Sequence, residues 1–407
     1  MKVIQGGVAS AKGFMASGVE AQIKYKNRKD MAMIFSTAPC TMAGTFTTNV
    51  VKAAPVLWDK DVVEKSAYGQ AVVINAGIAN ACTGEQGLKY CKKTAEAVAQ
   101  KMNIPMDSVM VASTGVIGRQ LPIDRIVAGA ENLCGTLKAG KEASTLAAEA
   151  IMTTDTISKQ VAVEIEIDHK TVTVGGMSKG SGMIHPNMCT MLGFVTTDIC
   201  MSKELLTKAL KKDVQDTFNM ISVDGDTSTN DTLLLMANGL AGNSMITEEN
   251  EDYNTFCEAL HYINETLAKM MAGDGEGASA LIEAKVIHAT SKEDAKKLAK
   301  SVICSSLTKA AVFGHDANWG RIMCALGYSG AQFDPEKVEL FYESAAGKIL
   351  LYKDGMDSGY SEEEATKILS QKEVRIIADM KSGTEEAAAW GCDLTYDYVK
   401  INADYRS

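Results

Sequence analysis

The residues of this chain that are best suited to chemistry lie in polar, glycine-rich segments that directly follow apolar runs. Ser113-Thr114-Gly115 comes immediately after the predicted strand 108–112. A Thr-Gly step at this place presents a hydroxyl beside a backbone N–H, and such a pair suits the stabilisation of an oxyanion in acyl transfer. On spacing alone, an ordinary strand-to-helix turn is the better interpretation.

A longer segment of this kind runs from Gly175 through Lys179 to Cys189-Thr190 and into an apolar run. Its glycines and lysine resemble a phosphate-binding loop only loosely, because the spacing G-x-x-x-x-G-K-[ST] is absent. The histidines of these motifs have no obvious Ser or Cys partner. A threonine nucleophile would need another base, which an N-terminal threonine has in its own α-amine, with a pKa of about 8. The sequence does not begin with threonine, so the chain would have to cut itself.

Two acidic segments also attract attention. Asp224, Asp226 and Asp231 place three carboxylates within eight residues, which is a donor set for a hard cation. The order of residues in a calcium-binding EF-hand loop is not met, and solvated turn residues are the better interpretation. Glu276 lies between glycines that would allow close approach of a ligand, although a helix C-cap explains the same glycines.

The elements that must position these segments are strands and helices in roughly equal number. Apolar runs and strict alternation predict strands, and a period of 3.6 predicts helices. The mixture favours an α+β or layered α/β architecture. The predicted strands are 70–75, 108–112, a hairpin over 160–174, 192–197, 217–223, 232–236, 282–288, 337–342 and 373–379; the predicted helices are 88–102, 123–137, 142–152, 203–213, 251–272, 291–307 and 361–371.

Composition excludes several classes of protein. The 407 residues suggest two or three domains or one large one, and 46% hydrophobic with 23% charged residues is typical of a globular protein. A net charge of −10 without a basic run argues against nucleic acid and anionic membranes. No apolar stretch reaches the roughly 18 residues of a membrane span, and the N-terminus lacks a signal peptide, so we expect a cytoplasmic protein. The ten cysteines are scattered and the five histidines do not cluster with them, so we expect free thiols and no metal.

Taken together, the motifs resemble the ornithine acetyltransferase family of arginine biosynthesis, the bifunctional glutamate N-acetyltransferase/amino-acid acetyltransferases. The resemblance extends from Gly6 to Ser407 in the family's order. It is carried by the segments GVASAKGF, TFTTNVVKAAPV, NAGIANACTG, VASTGVIGRQLP, IMTTDT, GGMSKGSGMIHPNMCTML, SVDGDTSTNDT, AGDGEGA, FGHDANWGRI and INADYRS.

The resemblance implies a self-cleaving acetyltransferase. Cleavage between Cys189 and Thr190 would make Thr190 the N-terminal nucleophile, which takes the acetyl group of N2-acetyl-L-ornithine and passes it to L-glutamate. Thr114, through its side chain, and Gly115, through its backbone N–H, would form the oxyanion hole. The positions that match the family's substrate contacts are Thr153 (or its neighbour Thr154), Lys179, Thr190, Glu276, Asn402 and Ser407. Lys179 would pair with a substrate carboxylate and Glu276 with a substrate amine.

The resemblance also implies a fold and an assembly. The family has a layered α/β/β/α sandwich of the self-processing type that is shared with aminopeptidases. An α chain of residues 1–189 and a β chain of residues 190–407 would form one catalytic unit and assemble as an α2β2 heterotetramer. The substrates are small molecules, with no resident cofactor, and use of acetyl-CoA as a donor stays open.

Two positions depart from the family's pattern. Cys189 stands where alanine usually precedes the nucleophile, which adds a thiol beside the scissile bond. Ala317 stands where proline usually precedes Asn318, which should loosen a turn.

Other functions remain as hypotheses. A self-processing amidase or aminopeptidase of the same fold would share the nucleophile and use water as the acceptor. A metal-dependent phosphate- or nucleotide-binding protein would use the glycines of 175–182 and the carboxylates of Asp224, Asp226 and Asp231. In the simplest case, the glycine motifs of an α/β protein are purely structural.

Overall fold

A computed structural model describes residues 1–185 and 191–404. Its strands, in chain order, are β1 (Lys2–Ile4), β2 (Phe14–Val19), β3 (Met31–Phe46), β4 (Gly69–Ile78), β5 (Val109–Val116), β6 (Lys159–Ile167), β7 (Lys170–Lys179), β8 (Leu192–Thr197), β9 (Ile221–Ser222), β10 (Thr232–Ala237), β11 (Leu281–Ala289), β12 (Glu339–Ser344), β13 (Gly347–Lys353), β14 (Met356–Asp357), β15 (Glu373–Asp379) and β16 (Glu385–Cys392).

The helices are α1 (Ala54–Lys65), α2 (Gly84–Met102), α3 (Ile123–Thr136), α4 (Lys141–Ala150), α5 (Lys203–Asp213), α6 (Glu251–Gly273), α7 (Lys292–Cys304), α8 (Ser306–Phe313), α9 (Trp319–Gly327), α10 (Glu362–Leu369) and α11 (Tyr396–Asp404). No helix in the described part of the chain is long and apolar enough to cross a membrane.

The long strand β3 joins two β-layers. Met31–Phe35 pairs with β2 and β4, and the parallel strand β5 continues that layer. Thr41–Phe46 pairs with β10, which continues through β8, β7 and β6 to β1 in a second layer. The register of β3 against β4 shifts between Phe35 and Cys40, and Pro39 within this stretch has no N–H to donate. The irregularity lies where the strand passes from one layer to the other.

Alternating side chains show how the layers stack. In β4, Val72 and Ile74 face a core that they share with Phe194 of β8 and Leu234 of β10, so this core lies between the two β-layers. Val73 points the other way, into a core that α2 and α3 supply. On the far side, the second layer packs against α5 and α6. The order helix, sheet, sheet, helix confirms the layered α/β/β/α sandwich and the α+β class.

A further sheet lies beyond α6. Its seven strands run in the order β14-β13-β12-β15-β11-β16-β9, and α7 packs across β11 and β16. This sheet and the second layer of the sandwich share one continuous core with α6. The strand order interleaves elements from distant parts of the sequence, and composition alone does not reveal it.

Most predicted elements are confirmed, and two are wrong in detail. The predicted strand 217–223 is a single 3₁₀ turn over Phe218–Met220, followed by the two-residue strand β9. The predicted helix 291–307 ends at Cys304, and a second helix begins after Ser305, whose hydroxyl accepts from the N–H of Thr308 at 3.2 Å. A serine that caps the next helix produces this break.

Candidate active site

A cleft at the edge of the sandwich has a cavity volume of about 150 Å³. Six of the residues that the resemblance assigns to the oxyanion hole or to substrate contacts line it, although they come from distant parts of the chain: Thr114, Gly115, Thr153, Lys179, Glu276 and Asn402. Thr154 and Asp231 also line it. The predicted nucleophile Thr190, the cleavage partner Cys189 and Ser407 lie outside the described residues. Met191, which follows Thr190 in the sequence, is part of the lining.

Thr114 and Gly115 stand at the end of β5, where the strand runs parallel to β4. Gly115 has a φ of +127°, and a β-carbon on it would lie 2.2 Å from the carbonyl carbon of Gly77. Only glycine fits this close approach of two backbones. The Thr-Gly step is therefore held rigidly by strand pairing, with the threonine side chain facing the cleft.

Lys179 ends β7 and points its ammonium into the same cleft. Its Nζ donates to Thr153 Oγ1 at 2.9 Å and to Thr114 Oγ1 at 3.3 Å. Because the Thr114 hydroxyl accepts from the ammonium, its own proton is free to be donated to an oxyanion. Burial lowers the pKa of Lys179, and the nearby carboxylate of Asp155 partly offsets this effect.

Asp155 holds the end of β7 and the Lys179 side chain in position. Its carboxylate accepts from the N–H of Gly180 at 2.7 Å and lies 3.9 Å from Lys179 Nζ. Burial acts to raise the pKa of Asp155, but the ammonium groups of Lys179 and Lys159 outweigh it and hold the pKa below its usual range. The carboxylate therefore stays charged and keeps Lys179 in place.

Lys159 and Asp274 extend this buried charge network. Lys159 Nζ lies 2.8 Å from Asp155 Oδ1 and 2.5 Å from Asp274 Oδ2, with its side chain fully buried. The backbone carbonyl of Asp274 accepts from the hydroxyl of Ser181 at 2.7 Å. The sequence gives no sign of this pair, because Lys159 has the place of a polar residue at the start of a strand and Asp274 is 115 residues away.

Glu276 also lines the cleft. Its N–H donates to the carbonyl of Ser181 at 3.0 Å, and its carboxylate accepts from Asn402 Nδ2 at 2.8 Å. Glu276 follows α6, and Asn402 lies on α11. The cleft thus presents both an ammonium and a carboxylate, which matches a ligand that carries both charges.

The sequence motifs that suggested metal or phosphate binding have other roles. Gly175 to Lys179 form part of β7, where a β-carbon on Gly175 would stand 2.1 Å from the carbonyl oxygen of Gly7. The carboxylate of Asp224 accepts from the N–H groups of Met183 and Ile184. Within residues 1–185 and 191–404, no group of three or more His, Cys, Asp or Glu side chains is arranged to hold a metal ion.

Of two further motifs, the one around Asn230 helps to build the cleft and the one around Asn318 lies apart from it. Asn230 Nδ2 donates to the carbonyls of Ala79 at 2.6 Å and Ser113 at 2.8 Å, which ties the residue after β4 to β5. The segment around Asn318 supplies the N-cap of α9 and is not part of the cavity lining.

Comparison with known proteins identifies the family. Residues 15–407 match the ArgJ family. The chain belongs to the ArgJ family. It is 51% identical over 397 residues to the arginine biosynthesis bifunctional protein ArgJ of Thermotoga neapolitana. The alignment covers 97% of this chain and 99% of that relative. The protein of the same name from Caldanaerobacter subterraneus subsp. tengcongensis is 49% identical over 407 residues, with both chains fully covered.

Solved structures align with this chain over part of its length, and one of them has a bound ligand in its description. It is the ornithine acetyltransferase of Mycobacterium tuberculosis complexed with ornithine, 42% identical, with a TM-score of 0.44. The alignment covers 46% of this chain and 98% of that one. The family match and the two relatives from Thermotoga neapolitana and Caldanaerobacter subterraneus confirm, at the level of the family, the resemblance that the motifs indicated.

Proposed function

We propose that this ArgJ-family chain is an acetyltransferase of arginine biosynthesis that moves the acetyl group of N2-acetyl-L-ornithine to L-glutamate. The observation that carries the proposal is that Lys179 and Glu276 line the same cleft as the Thr114-Gly115 step. N-acetylornithine and glutamate each carry a carboxylate and an amine, so both match a cleft that offers the ammonium of Lys179 and the carboxylate of Glu276.

The transfer would proceed in two half-reactions. The Thr190 hydroxyl attacks the acetyl carbonyl carbon while the α-amine of the same residue accepts the hydroxyl proton. Thr114, through its hydroxyl, and Gly115, through its N–H, stabilise the oxyanion. The carbon–nitrogen bond then breaks, ornithine leaves with that proton, and an acetyl-threonine remains. The glutamate amine attacks this ester in the second half, which releases N-acetylglutamate and restores the Thr190 hydroxyl.

The substrate contacts follow from the charges that line the cleft. Lys179 would bind a substrate carboxylate as a point charge, with Thr153 beside it. Glu276, held by Asn402, would bind a substrate amine. Ser407 completes the proposed set from the C-terminal end.

The nucleophile requires self-cleavage between Cys189 and Thr190. We expect mass spectrometry to show two chains, 1–189 and 190–407, that run separately on a denaturing gel and assemble as an α2β2 heterotetramer in native mass spectrometry. Thr190→Ala should give one intact and inactive chain. A wild-type chain that is intact and fully active contradicts the proposal.

The activity assay separates the acceptors and the donors. Glutamate is offered with N-acetylornithine or with acetyl-CoA, and the second donor is included because the relatives are named bifunctional. Acetyl transfer from N-acetylornithine should depend on glutamate. Equal consumption of N-acetylornithine without glutamate would instead identify an amidase that uses water.

A further inference from the structure

Arg28 is a half-buried cation that the transfer mechanism does not use, and the described residues that line the cleft do not include it. Its guanidinium donates to two backbone carbonyls, from Nη2 to Met152 at 2.5 Å and from Nη1 to Thr153 at 3.2 Å. The planar fork of arginine carries several donors, so one side chain can hold two acceptors at once. Because Arg28 and Thr153 are 125 residues apart in the sequence, this contact joins two distant segments.

The loop that carries Arg28 connects β2 to β3 and is closed by its own hydrogen bonds. Asp30 is fully buried, and its carboxylate accepts from the N–H groups of Ala21 and Ile23, each at 2.6 Å. The guanidinium of Arg28 lies over the ring of Tyr25, with 4.9 Å to the ring centroid. A cation is attracted to the face of an aromatic ring. The loop therefore presents Arg28 in a defined direction.

Thr153 is the residue through which Arg28 is connected to the cleft. Its carbonyl accepts from Arg28, its N–H donates to Asp155 Oδ2 at 3.0 Å, and its hydroxyl accepts from Lys179 Nζ at 2.9 Å. Both Thr153 and Lys179 line the cleft. Since Thr153 belongs to no helix or strand, these contacts fix its backbone in place of a regular hydrogen-bond pattern.

A purely structural role for Arg28 is the alternative. The two carbonyls that it holds come shortly after α4, which ends at Ala150, and arginine is a common partner for carbonyls at the end of a helix. A helix cap contributes to the stability of the fold, whereas a residue that positions Thr153 also affects how firmly the cleft holds a ligand. Lys29 offers a comparison, because its ammonium lies 3.2 Å from Glu149 on the same helix and neither residue lines the cleft.

We propose that Arg28 is a positioning residue for the binding of the substrate carboxylate. This inference rests on the proposed function, in which Lys179 binds that carboxylate. The ammonium of Lys179 has three hydrogens, and the hydroxyls of Thr153 and Thr114 accept two of them. The direction of the third hydrogen therefore depends on where these two hydroxyls lie. Arg28 keeps the Thr153 hydroxyl in its place by holding the backbone of the same residue.

The test measures ligand binding and steady-state kinetics on the full-length protein. Arg28→Met removes the guanidinium and keeps an unbranched side chain. The Kd of N-acetylglutamate, from titration calorimetry, and KM for N-acetylornithine should each rise about 10-fold to 100-fold. The value of kcat should stay close to that of the wild type, which is the pattern of lost ground-state binding. Lys29→Met is the matched control and should bind and react as the wild type does. A folded Arg28→Met protein with the wild-type Kd overturns the inference.

A double-mutant cycle tests whether Arg28 acts through Thr153. Thr153→Val keeps the shape of the side chain and removes the hydroxyl that accepts from Lys179. This variant alone should weaken binding. Adding Arg28→Met to it should cause little further change, because the hydroxyl that Arg28 positions is already absent. If the two effects instead multiply as independent changes, Arg28 does not act through this hydroxyl and the inference is wrong.

A second variant covers an Arg28→Met protein that fails to fold, which thermal unfolding detects. Arg28→Lys keeps the charge but lacks the planar fork that holds both carbonyls. The same cycle is then measured with Arg28→Lys, and a folded Lys variant with the wild-type Kd overturns the inference. Any variant that remains uncut is compared with Thr190→Ala, which is uncut by design.

The outcomes distinguish the two proposals. A wild-type protein that neither binds N-acetylglutamate nor transfers an acetyl group overturns the proposed function and this inference with it. A wild-type protein that does both, together with independent effects of Arg28→Met and Thr153→Val, overturns only the role of Arg28.

Discussion

The carboxylate of Glu276 lies so close to the α-carbon of Gly182 that a β-carbon there would stand 2.3 Å from Oε2. The backbone of Gly182 is not in the left-handed region. Glycine is thus needed at this position for the space that it leaves and not for its conformational freedom. Together with Asn402, Gly182 fixes the place of the carboxylate in the cleft.

Gly182→Ala should therefore displace Glu276 with little effect on the fold. We expect kcat/KM for N-acetylornithine to fall by about 10-fold to 100-fold, because misplacement of a binding group by an ångström has effects of this order. Steady-state kinetics and thermal unfolding measure the two effects. Gly135→Ala, in α3 where nothing lies within 4 Å of an added β-carbon, is the control and should leave the kinetics unchanged.

Thr114→Val removes the hydroxyl that accepts from Lys179 and keeps the shape of the side chain. If this hydroxyl stabilises the oxyanion, kcat should fall by about 10²-fold to 10³-fold. Thr114→Ser keeps the hydroxyl and should recover most of the rate. Equal kcat values for the Val and Ser variants, measured on fully cleaved enzyme, would remove Thr114 from the oxyanion hole.

Binding of N-acetylglutamate should weaken as the pH rises, and it should do so below the pH at which an ordinary lysine loses its charge. The pKa of Lys179 is lowered, chiefly by burial, so the neutral amine forms earlier and no longer attracts a carboxylate. Titration calorimetry from about pH 7 to about pH 10 measures the effect. An ordinary lysine, with a pKa of about 10.4, stays mostly charged over this range.

The control for this pH dependence is Lys179→Arg. A guanidinium stays charged throughout the range, so the alkaline weakening should disappear. Parallel pH profiles for wild type and variant would show that Lys179 does not bind the carboxylate.

Lys159→Met should destabilise the protein strongly, because it leaves the carboxylates of Asp155 and Asp274 buried without their shared cation. Removal of one partner from a buried ion pair costs about 3–5 kcal/mol. Denaturant unfolding measures the loss on the uncut Thr190→Ala background, where one chain unfolds.

The matched control for Lys159 is Lys285→Met, because Lys285 is half-buried and its ion-pair partner Glu386 is exposed to solvent. Its loss should cost about 0–1 kcal/mol. Similar values for the two variants would mean that the buried network contributes no more than a surface pair.

Much of the fold could be predicted because local periodicity is strong. The boundaries of β8, α5 and β15 agree with the predicted ranges to the residue. Strand β3 was missed because its central Ser-Thr-Ala-Pro stretch breaks the alternation. The strand changes partners there, and a single stretch of sequence does not record which strands it pairs with.

The candidate site likewise has parts that local sequence predicts and parts that depend on which segments pack together. Residue types and their order were enough to predict the family, the Thr114-Gly115 step and the charged residues of the cleft, Lys179 and Glu276. Only the tertiary structure decided that Lys159 joins Asp155 to Asp274, that Gly182 makes room for Glu276, and that Arg28 holds the segment that follows α4. The reason is physical: pairing and burial of charges depend on strand register and layer packing between segments far apart in the chain, which local spacing does not encode.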